Sequence, residues 1–308
     1  METRRIGALE VSVVGLGCNN FGYRLDADTT SAVVDAALDA GINFFDTADV
    51  YGDTRSEELL GRALRGRRDD VVLATKFGAR VDEQRIGARP EYVRQAVEDS
   101  LRRLRTDRID LYQLYSPDPE VPIEDTLGAL DELVQAGKVL EIGCSNFSVG
   151  QLREAEGASR DGSARFASVQ NEYSLLHRDP EHDVIPESER AGIAFIPYSP
   201  LANGLLTGKY RRGEPAPEGS RLRSSSRTED LLTDQNLAVV GKLVEFSESR
   251  GHTILELAFS WLLRQSAVAS VIAGATSPDQ AKSNVAAAGW GLTDEELSEI
   301  DEILARSA

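Results

Sequence analysis

The sequence predicts an α/β fold, a closed (β/α)8 barrel of the TIM type, on three observations. Short apolar runs recur along the chain, most of them are separated by stretches with helical periodicity, and 308 residues suit one large barrel or two ordinary domains. The runs are 11–16, 42–45, 71–74, 109–114, 139–143, 166–169, 193–197 and 268–272, each ending in polar residues. Eight strands with eight crossovers decide for the barrel, and residues 1–308 read as a single domain.

The intervening helices carry their own signals. Val33, Val34, Ala37 and Leu38 share one face, and Gly41 stands where a helix-ending glycine belongs. Pro90 suits a first helical position ahead of Val93, Ala96, Val97, Leu101 and Leu104. Leu127, Leu130, Leu133 and Val134 repeat the pattern before Gly137. Thr233 caps a helix built on Leu237, Val240 and Val244 and closed by Gly251, and Thr253 opens the next through Leu257, Trp261 and Leu262. Most acidic residues then fall on solvated helix faces.

Two segments break the rhythm. Residues 4–12 read as a β-hairpin turning at Gly7-Ala8, placed to plug the bottom of the barrel. Residues 204–228, after the seventh run, are rich in Gly, Pro, Ser and Arg and too long for an ordinary connection. Between 209 and 227 lie Lys209, Arg211, Arg212, Arg221, Arg223 and Arg227 against only Glu214 and Glu218. That local positive excess stands out in a chain with 34 basic and 51 acidic residues and a net charge of −17.

The overall charge argues against general binding to nucleic acid or anionic membranes. Apolar residues make up 41%, yet no run approaches the roughly 18–20 needed to span a bilayer. The opening residues show no apolar signal core, so a cytoplasmic protein is expected. Cys18 and Cys144 suggest neither a disulfide framework nor a zinc site. The three histidines, His177, His182 and His252, show no ligand spacing and read as structural or surface residues, so no metal is expected.

In such a barrel the chemistry sits at the C-terminal ends of the strands. After the second run comes Asp46-Thr47-Ala48-Asp49-Val50-Tyr51, and after the third Thr75-Lys76. On adjacent strands, Asp46 and Lys76 can pair beneath Tyr51, and the ammonium is expected to lower the phenol's pKa and make it a usable general acid. Singly, each has a plainer role: a helix cap, a solvated lysine, a packing tyrosine. Their convergence on one face points to catalysis.

The chain resembles the aldo-keto reductase family in INFFDTADVYG (42–52), RSEELLG (55–61), VVLATKFG (71–78), DRIDLYQLYSPDP (107–119), EIGCSNFS (141–148), VQNEYSLLHR (169–178), IPYSPLANGLLTGKY (196–210) and GATSPDQAKSNVAAA (274–288). These motifs cover nearly the whole chain. The resemblance implies reversible reduction of an aldehyde or ketone with NADP(H), NAD(H) being possible, bound without a Rossmann domain. It makes Tyr51 the proton donor, Lys76 its activating cation and Asp46 the partner of Lys76. It assigns Ser145, Asn146 and Gln170 to the nicotinamide amide, with Tyr198 stacked on the ring and Gly17, Cys18, Asn19 and Asp46 close by. Ser199, Pro200, Leu201, Gly204 and Leu205 line the pyrophosphate with Lys209 nearby; Gly274, Thr276, Gln280 and Asn284 hold the adenosine end. The basic segment becomes a loop covering the cofactor, with Arg223 as a phosphate contact, and the substrate pocket comprises Phe21, Tyr23, Tyr51, Phe77 and Tyr115.

One position departs from the family. Where a histidine usually orients the carbonyl, Leu114-Tyr115-Ser116-Pro117-Asp118 carries Tyr115, which can donate a hydrogen bond but cannot become a cation near neutral pH. The expectation is a carbonyl reductase in which Tyr115 takes the polarising place. The alternative is a nucleotide-binding sensor or regulatory subunit with vestigial activity, similar to the β subunits of voltage-gated potassium channels.

Overall fold

The computed structural model describes residues 1–223 and 225–305. The chain opens with β1 (Thr3–Ile6) and β2 (Leu9–Ser12), an antiparallel hairpin turning at Gly7. The barrel strands follow as β3 (Val14–Gly17), β4 (Phe44–Asp46), β5 (Val72–Phe77), β6 (Ile109–Leu114), β7 (Val139–Ser145), β8 (Phe166–Glu172), β9 (Ala194–Tyr198) and β10 (Val271–Gly274). They form one parallel sheet in the order β10-β3-β4-β5-β6-β7-β8-β9. Residues just ahead of β10 close it: Phe195 N–H donates to Ala267 O at 2.7 Å and Ala269 N–H to Phe195 O at 3.0 Å.

Six helices cross between the strands up to β9: α1 (Ala27–Asp39), α2 (Arg55–Ala63), α3 (Pro90–Leu104), α4 (Ile123–Gln135), α5 (Val149–Ala158) and α6 (Val184–Ala191). Between β9 and β10 lie the short α7 (Thr228–Leu231), α8 (Asp234–Glu248) and α9 (Ile254–Leu263); α10 (Pro278–Ala286) and α11 (Asp294–Ala305) end the described chain. The expected caps are in place: Pro90 opens α3, Thr233 accepts from Asn236 N–H, and Thr253 forms a reciprocal capping box with Glu256. No helix among the described residues is long and apolar enough to cross a membrane.

Two apolar layers hold the fold. The inner one joins Phe44, Ala74, Leu111, Ile196, Ala269 and Ile272 of the barrel to Ile6, Leu9 and Val11 of the hairpin. The hairpin thus stops the lower end, each buried aliphatic side chain contributing roughly 1.5–3 kcal/mol. Arg4 fastens it by donating to Val268 O at 2.6 Å and Leu263 O at 2.7 Å. The outer layer fills the space between strands and helices.

Strand limits differ from the apolar runs in a consistent way. The run 11–16 is two strands broken at Val13, and the run 268–272 divides between the closing bridge and β10. β5, β7 and β8 extend two to three residues past their runs, because the upper positions face the site and are polar there. The segment 204–228 holds a short 3₁₀ turn over Arg221–Arg223 and the start of α7 at Thr228; Ser224 lies outside the described residues.

Candidate active site

β4 and β5 pair with Asp46 beside Ala74, so Asp46 and Lys76, two residues on, reach the same interior level. Lys76 Nζ donates to Asp46 Oδ2 at 2.5 Å and to Thr47 O at 3.0 Å, and both side chains are almost fully buried. Gln113 on β6 and Gln170 on β8 each donate Nε2–H to Asp46 Oδ1, at 3.1 and 3.0 Å. The Tyr51 ring centroid lies 5.4 Å from the Lys76 ammonium, and the Tyr115 ring meets Tyr51 edge-on at 6.4 Å. Asp46, Lys76, Tyr51 and Tyr115 converge as expected.

The electrostatics correct one expectation. Burial, with the Asp46 charge next, holds the Tyr51 phenol well above its ordinary value rather than lowering it. The Asp46 carboxylate, 2.5 Å from Lys76, offsets the ammonium's pull. Tyr51 therefore keeps its proton at neutral pH, as a proton donor must. Burial also raises the Tyr115 phenol.

These groups stand on the wall of a cavity of about 820 Å³ at the C-terminal ends of the strands. Its wall includes Gly17, Cys18, Asn19, Ser145, Asn146, Gln170, Tyr198, Ser199, Pro200, Leu201, Gly204, Lys209, Gly274, Thr276, Gln280 and Asn284. Tyr198 Oη donates to Asn146 Oδ1 at 2.9 Å, and Asn146 Nδ2–H donates to Tyr115 O at 2.8 Å, linking three strand ends. Asn146, Ser199 and Asn203 hold positive φ of 61°, 51° and 56°, a cluster of left-handed non-glycine residues at the rim.

Other expected residues sit elsewhere. Phe21 and Leu205 are fully buried in the outer layer, and Arg223 and Tyr23 do not line the cavity, Tyr23 being 78% exposed. Phe77 turns away from the interior and stacks on Tyr112 at 4.7 Å, as alternation along β5 demands once Lys76 faces inward. Among the described residues the Arg223 guanidinium meets only Ala216 O, at 3.5 Å. In its place Arg221 and Arg227 line the cavity, joined by Arg24 from the β3–α1 loop. Arg24 was missed because it stands in no motif, and Gln113 because an apolar strand run conceals which member faces inward.

The cavity's donor set fits an anionic dinucleotide. Arg227 pairs with Glu172 at 2.6 Å, whereas Arg24, Lys209 and Arg221 have no carboxylate partner among the described residues. Burial, with the neighbouring Arg24 charge next, holds the Arg221 guanidinium below its usual value. At the far end, the N-terminus of α10 opens onto the cavity, a position that favours phosphate. Gly274 keeps this wall open: a Cβ there would lie 2.9 Å from Asn20 Nδ2. Asn19 Oδ1 is buried without a hydrogen-bond donor among the described residues.

The aldo/keto reductase family model matches residues 13–305. The chain is 36% identical over 306 residues to an aldo-keto reductase of Bacillus subtilis (strain 168), YhdN, covering 96% of this chain and 91% of that one. It is 35% identical over 301 residues to probable aldo-keto reductase 1 of Glycine max, covering 95% and 85%. The solved glycerol dehydrogenase AKR11B4 from Gluconobacter oxydans superposes with a TM-score of 0.87 at 34% identity, over 99% of this chain and 96% of that one. The chain belongs to the aldo/keto reductase family and is an NAD(P)-dependent oxidoreductase.

Proposed function

We propose that the chain reduces a small aldehyde or ketone to the alcohol, with NADP(H) as the preferred nicotinamide cofactor. The observation that carries this reading is one cavity bordered by the Asp46–Lys76–Tyr51 group and Tyr115, with unpaired cations along the rest of its wall. When bound, the reduced nicotinamide supplies hydride to the carbonyl carbon. Tyr51 Oη gives its proton to the carbonyl oxygen, and Lys76 stabilises the phenolate that remains. Asp46 holds Lys76 in place through their ion pair, and Tyr115 donates a second hydrogen bond to the same oxygen.

Around the cofactor, Ser145, Asn146 and Gln170 would hold the carboxamide and Tyr198 the ring, with Gly17, Cys18 and Asn19 beside it. Ser199 to Leu201, Gly204, Lys209, Arg24 and Arg221 would take the pyrophosphate, and Gly274, Thr276, Gln280 and Asn284 the adenosine end. The N-terminus of α10 at the adenosine end favours the additional phosphate of NADP(H). The substrate would sit between Tyr51 and Tyr115.

A fluorescence titration with NADPH and NADH, followed by an NADPH-consumption screen over sugars, aldehydes and ketosteroids, tests the reading. It predicts tighter NADPH binding and turnover with at least one carbonyl class. Tight binding with negligible turnover throughout would instead make the chain a nucleotide sensor.

A further inference from the structure

Gln113 lies behind the cavity rather than on its wall, yet it touches two residues that form that wall. An ionised carboxylate only accepts hydrogen bonds, so both amides that meet Asp46 Oδ1 must turn their NH2 groups toward it. With its Nε2 on Asp46, Gln113 presents Oε1 to Gln170, whose Nε2 approaches it at 3.4 Å. Asp46 and Gln113 thus face the Gln170 NH2 with acceptors only, and its Oε1 takes no protein hydrogen bond among the described residues. A reversed Gln170 amide would set three acceptor oxygens against one another. Gly143, across from Gln113 on β7, makes room for this arrangement: a Cβ there would lie 3.1 Å from Gln113 Cγ.

We propose that Gln113 is a positioning residue that fixes the amide polarity of Gln170, so that the site presents a carbonyl acceptor to the NH2 of the nicotinamide carboxamide. The inference rests on the functional reading above and adds a cause for it. Asp46 holds the Gln170 NH2 directly and Gln113 Oε1 closes its second side, so the acceptor facing the cofactor is set jointly by the carboxylate that holds Lys76 and by a glutamine that touches neither substrate nor cofactor.

The test compares NADPH with its 3-acetylpyridine analogue, in which a methyl ketone replaces the carboxamide and the N–H donor is lost. Wild-type protein should bind NADPH about tenfold more tightly than the analogue, the worth of one hydrogen bond in a confined site. Gln113→Met, similar in length and without polar atoms, should lower that ratio to about threefold by weakening NADPH and leaving the analogue unchanged, Asp46 alone then holding the Gln170 NH2. Gln113→Glu should keep the ratio at low pH, where the introduced carboxyl is protonated, donates to Asp46 and accepts from Gln170. Its ratio should also hold as pH rises, because the ionised carboxylate still turns only acceptors toward the Gln170 NH2. A wild-type ratio of one, or an unchanged ratio in Gln113→Met, overturns the proposal. If circular dichroism shows Gln113→Met unfolded, an undiminished ratio in Gln113→Leu does so, as does a ratio of one in folded Gln113→Glu. Gln170→Leu separates the two levels: loss of discrimination there but not in Gln113→Met sinks this inference alone, whereas wild-type protein that binds neither dinucleotide sinks the functional reading.

Discussion

Asp49, two residues before Tyr51, is a carboxylate placed where its charge is unwelcome, and replacing it should stabilise the protein in a pH-dependent way. It is 2% exposed, Tyr92 Oη donates to its Oδ2 at a long 3.4 Å, and its Oδ1 is buried without a hydrogen-bond partner among the described residues. Arg103 nearby is committed to Glu57 at 2.6 Å. Burial, with the Glu57 charge next, raises the Asp49 carboxyl from 3.8 to about 7. The folded protein therefore holds a proton that the unfolded chain releases near pH 4, and stability present below that pH is lost as pH rises toward 7. A window about three pH units wide, at about 1.4 kcal/mol each, makes the loss about 4 kcal/mol. Asp49→Asn keeps the shape and the Tyr92 contact without the ionisation. At about 2.1 cal/mol/K of unfolding entropy per residue, 4 kcal/mol corresponds to roughly 6 °C in a 308-residue domain. Thermal unfolding followed by circular dichroism should show the two proteins within about 2 °C at pH 4.5 and the variant about 6 °C higher at pH 8. Because every other carboxylate titrates alike in both, only the difference matters. A gap that is absent at pH 8, or that does not grow with pH, would refute the reasoning.

Other consequences follow from the cation wall and the tyrosine pair. Arg221→Ala should weaken NADPH about 10- to 100-fold, as expected for loss of one charge-assisted contact, and less so in high salt. Arg223→Ala, outside the cavity, should change the dissociation constant by less than about twofold; the opposite ranking in calorimetry would exchange their roles. Tyr115→His should alter substrate preference and introduce an activity limb near pH 6.5, since imidazole titrates there and a phenol does not. Unchanged kinetics over a carbonyl panel would reduce Tyr115 to wall.

Much of the site was legible because this fold puts its chemistry where strands end, and strand ends are visible as apolar runs giving way to polar residues. Asp46, Tyr51 and Lys76 were found that way, Tyr115 through the family resemblance, and the four do converge. Facing direction was less legible. Phe77 follows Lys76 directly, so the alternation that brings the lysine inward sends the phenylalanine to the helix layer, a signal present in the sequence but not applied. Phe21 and Leu205 lie in irregular segments with no such period, and both are core. In the basic loop, composition announced anion binding, but only the 3₁₀ turn decides that Arg221 rather than Arg223 lines the cavity. The direction of the Tyr51 shift depended on burial and on the distance between two charges, neither of which a sequence contains.

The central claim is that Tyr51 gives a proton to a carbonyl oxygen beside a bound nicotinamide. Its most direct test is Tyr51→Phe, assayed for NADPH consumption on the best substrate and, in parallel, for NADPH affinity. In this variant kcat should fall about 10²- to 10⁴-fold while the dissociation constant moves by less than about threefold. Undiminished carbonyl reduction by a folded, NADPH-binding Tyr51→Phe protein would contradict it.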